Sequence, residues 1–126
     1  MEVRDAVEAD AERLAALTDA PRDVMRNLVH DRTVRVVERE GEIVGFVSYD
    51  AREQTVHVTQ LEGDDDTYQL LLDEPLGFAA AEGMAVELLA PEDETAVHGA
   101  ARDAGFEEVG NGPRFEGRQT VRFRLE

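Results

Sequence analysis

Thr55-Val56-His57-Val58-Thr59-Gln60-Leu61 is β-branched and alternating, and reads as a strand. Glu62-Gly63-Asp64-Asp65-Asp66 follows as an acidic turn, and a helix opens near Thr67 and runs through Tyr68, Leu71, Leu72, Pro75 and Ala79. A strand feeding a helix N-terminus is a common place to hold phosphate, because the free N–H groups there attract anions. In this chain the turn carries four carboxylates, Glu62, Asp64, Asp65 and Asp66, which repel an anion. The spacing predicts the architecture while the charge argues against the usual ligand.

Outward from that stretch the chain is read as one domain, residues 1–126, long enough for one real core. No segment approaches the ~20 apolar residues that span a membrane. Met1-Glu2-Val3-Arg4-Asp5 lacks the layout of a signal peptide, so a cytoplasmic location is expected. The absence of cysteine excludes disulfides, thiolate nucleophiles and thiolate metal sites.

Twenty-nine acidic residues face 13 basic ones, a net charge of −16, and every basic residue is arginine. So large a charge repels itself in the compact state. It suits a cytoplasm of molar salt, where the screening length falls to about 3 Å, and the expected source is an extreme halophile. Nucleic acid and anionic membrane surfaces are excluded as partners, since both are bound largely by cations meeting phosphates.

Before the deciding stretch, Val3–Ala6 reads as a short strand, Glu8–Thr18 as a helix, and Pro21 as the first residue of a helix to His30. Val34–Arg39 and Ile43–Tyr49 are strands joined by a tight turn at Glu40-Gly41-Glu42, and Thr55–Leu61 completes the meander. After it, Pro75 predicts a bend or two short helices meeting near Asp73-Glu74. Ala85–Leu89 should lie parallel to Thr55–Leu61, because a crossover helix joins them. Pro91–Asp93 opens a further helix whose apolar stripe is Val97, Ala100, Ala101 and Ala104. Phe106–Val109 is a short strand, Gly110–Pro113 a loop, and Thr120–Leu125 the last strand.

Ala104-Gly105-Phe106-Glu107-Glu108-Val109-Gly110 resembles the closing motif of the GNAT superfamily of acyl-CoA N-acyltransferases. The element order is similar over nearly the whole chain, and Val3-Arg4-Asp5-Ala6 with its helix resembles the family's opening. The resemblance implies an α/β (α+β) fold: a mixed, mostly antiparallel twisted sheet of about six or seven strands, with about four helices on both faces. It implies that Thr55–Leu61 and Ala85–Leu89 splay to admit the pantetheine arm of acetyl-CoA. By position, Gln60, Leu61, Gly63 and Thr67 would then form the pyrophosphate loop.

The chain departs from the family at that loop. Gln60–Thr67 holds one glycine and no arginine, where the family has Arg/Gln-x-x-Gly-x-Gly/Ala. Two unit charges 4 Å apart interact by about 1 kcal/mol in water, and more near protein. The plain reading of the aspartates is helix capping and a favourable helix dipole; the alternative is a Mg²⁺ bridge held by Asp64–Asp66. The family's leaving-group tyrosine falls on Ala101, and neither Tyr49 nor Tyr68 inherits its role by position.

His57 is the candidate general base, against the plainer reading of a strand residue beside a carboxylate. His30 and His98 are read as surface residues, and Ser48 as part of an apolar strand. Arg114, Arg118, Arg122 and Arg124 could receive an anion, but cross-strand ion pairs explain them. No metal pattern is present. Two readings follow: a binding or interaction module with eroded sites, as a homodimer or beside a true acyltransferase, or an active acetyl-CoA-dependent enzyme acting on a small-molecule amine or a protein. The residues favour the first.

The charge yields a direct test. Unfolding should become easier as KCl is withdrawn below about 1 M, where repulsion is no longer screened. Thermal midpoints that stay level from dilute buffer to molar salt would remove the inference of a halophile.

Overall fold

The computed structural model describes residues 1–114 and 117–126. In chain order the elements are β1 (Glu2–Asp5), a 3-10 turn (Glu8–Asp10), α1 (Ala11–Thr18), α2 (Arg22–Asp31), β2 (Thr33–Arg39), β3 (Glu42–Arg52), β4 (Thr55–Gly63), a second 3-10 turn (Asp65–Thr67), α3 (Tyr68–Glu82), β5 (Ala85–Pro91), α4 (Thr95–Asp103), β6 (Glu107–Asn111) and β7 (Thr120–Leu125). Seven strands form one sheet in the order β1-β2-β3-β4-β5-β7-β6. The pair β4/β5 is parallel, as the crossover through α3 requires, and the other pairs are antiparallel.

Each face of the sheet has its own core. Helices α1 and α2 cover Val34, Val36, Ile43 and Phe46 with Ala11, Leu14 and Met25. Helices α3 and α4 cover the other face, where Leu71, Leu72, Val97 and Ala101 meet Val56, Val58, Leu88 and Phe123. The apolar run of β3 belongs to both cores: Phe46 faces one and Val47 the other. Both β2–β3 and β3–β4 close through two-residue turns with positive φ, at Glu40 and Gly41 and at Glu53 and Gln54.

Several expectations are corrected. The first helix opens as a 3-10 turn, with α1 proper beginning at Ala11. Pro21 is the residue before α2 rather than its first, with extended ψ of 147°. Helix α3 is one unbroken helix with Pro75 inside it. A mid-helix proline costs about 3 kcal/mol, but Leu71, Leu72, Pro75 and Ala79 are all buried by one continuous helix, and each large apolar side chain returns roughly 1.5–3 kcal/mol. Pro91 does not open α4: it stays in the ladder opposite Thr120, and the helix starts at Thr95. β6 extends through Gly110 and Asn111, which pair with β7, so the loop there is shorter than expected. His98 is buried rather than on the surface; it bonds the Pro91 carbonyl oxygen at 2.9 Å and stands edge-on to Phe123.

The deciding turn is held against β3 by two glycines in register, Gly45 and Gly63. A β-carbon on Gly63 would lie 2.6 Å from both the Gly45 Cα and the Val44 carbonyl oxygen, and its φ is +137°. One on Gly45 would lie 2.9 Å from the Thr67 hydroxyl oxygen. Gly63→Ala should therefore destabilise the protein by roughly 2–3 kcal/mol in urea titration, through overpacking and a left-handed backbone. Gly77→Ala should instead stabilise it by about 1 kcal/mol, because open space surrounds that position in α3. Equal effects of the two substitutions would show that the close approach is not what Gly63 supplies.

Candidate functional site

The site is created by a loss of pairing. β4 and β5 are in register from Thr55/Ala85 to Val58/Leu88 and no further. Beyond that point β4 stays with β3 as far as Gly63, while β5 stays with β7 as far as Pro91. A bulge at Thr59, between the pairs Tyr49/Val58 and Ser48/Gln60, turns β4 where the strands part. The bulge is tied from below: the Ser48 and Thr59 hydroxyls lie 2.6 Å apart, and Thr59 also donates to the Ser48 carbonyl at 3.2 Å. Ser48, read as one residue of an apolar strand, thus supports the bend.

The loop positions lie as follows. Gln60 is half-buried opposite Ser48, and Leu61 is buried in the α3-side core. Gly63 lies against Gly45. Thr67 is fully buried, and its hydroxyl donates to the Asp64 carbonyl at 2.7 Å. The aspartates do not cap the helix through their side chains, as expected of them. Asp64 and Asp66 instead share the Arg39 guanidinium, at 3.1 and 2.6 Å. Arg39 comes from the end of β2, so no local sequence window joins it to this turn. It also pushes its own protonation range upward through these bonds, Asp66 first. Among the described residues no three histidines or carboxylates are placed to hold a metal ion, which leaves the Mg²⁺ bridge without a geometry.

Two perturbed groups flank the β4–α3 turn, Glu62 near the end of β4 and Tyr68 at the start of α3. Glu62 is half-buried near the end of β4. Burial raises its carboxyl above the ordinary range, Glu94 raises it further, and Arg118 opposes them. Arg118 is drawn to Asp93 at 2.6 Å and Glu94 at 3.5 Å. Tyr68 opens α3 with 7 % exposure, and burial with the nearby carboxylates pushes its phenol up to about 12. Sequence reasoning missed Glu62 and Tyr68, because their burial follows from the folded core and not from the local pattern. Ala101 is fully buried in α4 and supplies no donor.

On the sheet face beyond α1 and α2 runs a row of charges. Arg32 pairs with Asp50, Asp50 lies across from His57, His57 across from Glu87, and Glu87 pairs with Arg124. His57 thus sits between two carboxylates, each held by an arginine. Asp50 Oδ1 and Arg122 Nε are buried without a hydrogen-bond partner among the described residues. The C-terminal arginines mostly do what their spacing predicts: Arg122 and Arg124 reach Glu87 at 3.8 and 2.6 Å across the strands. Arg114 is exposed, and His30 lies at the surface, 2.7 Å from Glu8. No helix among the described residues is long and apolar enough to cross a membrane.

Glu62 yields a test with a definite sign. A carboxyl whose folded range is raised contributes stability while protonated and loses it as pH climbs through that range. Glu62→Gln should therefore raise the melting temperature at neutral pH, with the gain shrinking toward zero as pH falls below the carboxylate range. A loss of stability at neutral pH would mean that the carboxylate is a bonded, stabilising group.

No family model matches the sequence, and no curated protein matches it. Solved structures do. A ribosomal-protein-alanine N-acetyltransferase from Brucella melitensis superimposes with a TM-score of 0.80 at 20% identity, covering 99% of each chain. A Salmonella typhimurium protein assigned as an acetyltransferase, solved with its cofactor acetyl-CoA, gives 0.80 at 16% identity, covering 100% of this chain and 93% of that one. An acetyltransferase of the GNAT family from Streptococcus pneumoniae gives 0.75 at 17% identity, covering 98% and 97%. Likeness of this kind establishes architecture: the chain has the fold of the GNAT acetyltransferases.

Proposed function

We propose that this chain is a binding module on the GNAT fold, with its acyl-CoA loop closed, rather than a working N-acyltransferase. The observation that carries this reading is the state of the β4–α3 turn. Asp64 and Asp66 occupy the guanidinium of Arg39. Gly63 is taken up by its contact with Gly45, and the Thr67 hydroxyl by a carbonyl. A diphosphate arriving there would meet carboxylates in place of donors, and would have to displace an existing ion pair. Fold alone decides nothing about activity, so the site carries the argument. The buried Ala101, at the position of the family's proton donor, points the same way.

A second reading has its own support. The gap between β4 and β5 is present beyond Val58/Leu88, and a gap of that kind could align an acyl thioester with an amine. In that case His57, between Asp50 and Glu87, is the candidate to take the amine's proton, and acetyl-CoA is the cofactor.

Calorimetric titration with acetyl-CoA in 2 M KCl separates the two. The proposal expects no saturable heat at millimolar cofactor and no shift in melting temperature. Micromolar binding would sink it and favour the enzyme. As an internal control, the double variant Asp64→Asn, Asp66→Asn frees Arg39 and removes two repelling charges, so any residual affinity for coenzyme A should rise by tenfold or more.

A further inference from the structure

Asn111 is followed by Gly112, whereas the other asparagine, Asn27, is followed by Leu28 inside α2. Asparagine is a thermolabile residue, and most so before glycine, where no side chain keeps the next amide nitrogen from the asparagine side-chain carbonyl carbon. The fold sets this pair in a guarded corner. Asn111 is exposed at the end of β6, the outermost strand of the sheet, and pairs with Val121. The Gly112 N–H, whose nitrogen would have to attack, donates to the Thr120 carbonyl at 3.0 Å. Two further bonds hold the same corner. The Thr120 hydroxyl donates to the Pro113 carbonyl at 2.6 Å, and the Gln119 side-chain amide donates to the Gly112 carbonyl at 3.3 Å. Gly112 is closely packed as well: a β-carbon there would collide with the Thr120 hydroxyl oxygen and lie 2.8 Å from Leu89 Cδ2.

We propose that Asn111 is a site of spontaneous deamidation and that the β6–β7 pairing gates it. While the Gly112 N–H stays on the Thr120 carbonyl, its nitrogen is committed to β7 and withheld from its neighbour's side chain. Local opening at the end of an edge strand releases it. Water then takes the Gly112 amide proton, and the nitrogen attacks Cγ of Asn111. An N–Cγ bond forms, the bond from Cγ to the side-chain nitrogen breaks, and that nitrogen leaves as ammonia with a proton returned by water. The product is a five-membered succinimide. A water molecule opens it at one of its two carbonyl carbons, giving aspartate by one route and isoaspartate, with the main chain running through the former side chain, by the other. Either product adds one negative charge to a chain already at −16. Isoaspartate also lengthens the backbone by one carbon, and Gly112 has no room to shift between Thr120 and Leu89. Its bond to Thr120 and the Asn111/Val121 pair are then lost, so the corner that slows the reaction does not re-form after it. The result is an age-dependent loosening of the sheet edge beside Leu89, which lies just past the last β4/β5 pair.

The test ages the full chain in molar KCl at mildly alkaline pH and follows aspartate and isoaspartate at position 111 by peptide mass spectrometry, with Asn27 as the internal control. The same chain unfolded in urea gives the ungated rate. The expected result is conversion at Asn111 well ahead of Asn27 in urea, and about tenfold slower conversion in the folded chain, the factor set by a local opening of ~1.4 kcal/mol. Thr120→Val removes the tie to Pro113 and should speed conversion of the folded chain severalfold while its melting transition stays cooperative. Should that variant disturb folding, Gln119→Ala removes the tie to the Gly112 carbonyl and is read in the same way. Aged protein rich in isoaspartate should show faster amide hydrogen exchange along β6 than fresh protein. The proposal is overturned if folded and unfolded chains convert at the same rate, if Asn111 converts no faster than Asn27 in urea, if both variants keep the natural rate, or if β6 exchanges alike before and after conversion.

Discussion

The parting of β4 from β5 is the constraint from which the rest of the molecule follows. Each of the two strands has a better partner on its far side: β4 keeps β3 as far as Gly63, and β5 keeps β7 as far as Pro91. Once the shared register ends at Val58/Leu88, two strand edges face each other across unpaired backbone. Buried backbone groups without partners are costly, so such a gap persists only where solvent or a ligand can satisfy them. The bulge at Thr59 and its ties to Ser48 set the direction of the bend, and the Gly45–Gly63 contact pins the far end of β4 so that α3 starts above the opening. Parting, bulge and glycine contact together fix where β4 leaves β5 and where α3 begins.

In charge, the β4–α3 turn differs from a phosphate site in a specific way. Donors that could have turned outward are turned inward: the Thr67 hydroxyl to Asp64, the Arg39 guanidinium to Asp64 and Asp66. The acceptors are the groups left facing outward. Exposed ion pairs of this sort contribute little to stability, about 0–1 kcal/mol each, and less in molar salt. The Arg39 pairs therefore matter less as bonds than as occupancy, since they leave no free cation at the turn. The same economy recurs along the open sheet face, where Glu87 is reached by both Arg122 and Arg124, and Asp50 by Arg32 and Arg52.

Much of the fold was legible because it depends on local periodicity. Thr120–Leu125 alternates cleanly and is found as a strand at those limits; the crossover through a helix was enough to set β5 parallel to β4. The misses share a cause: a residue's local preference was overruled by a contact distant in sequence. Pro75 is carried inside α3 because the sheet beneath rewards a continuous helix. Pro91 stays extended because Thr120 pairs with it. His98, polar and flanked by small residues, is drawn inside by the Pro91 carbonyl and the Phe123 ring. The site divides in the same way. The acidity of the turn could be read directly. The arrival of Arg39 from β2 could not, since it depends on the folded topology.

The tyrosines show how far position in a motif can mislead. Reasoning by position looks for a proton donor four residues before Gly105, finds Ala101, and passes the role to neither Tyr49 nor Tyr68. The structure shows Ala101 wholly buried, and Tyr68, at the start of α3, packed in the same core directly after the short β4–α3 turn. Only Asp64 and one 3-10 turn separate Gly63 from Tyr68. A longer, glycine-rich loop would set that ring further from the end of β4, so the short acidic turn and the burial of Tyr68 are one structural feature.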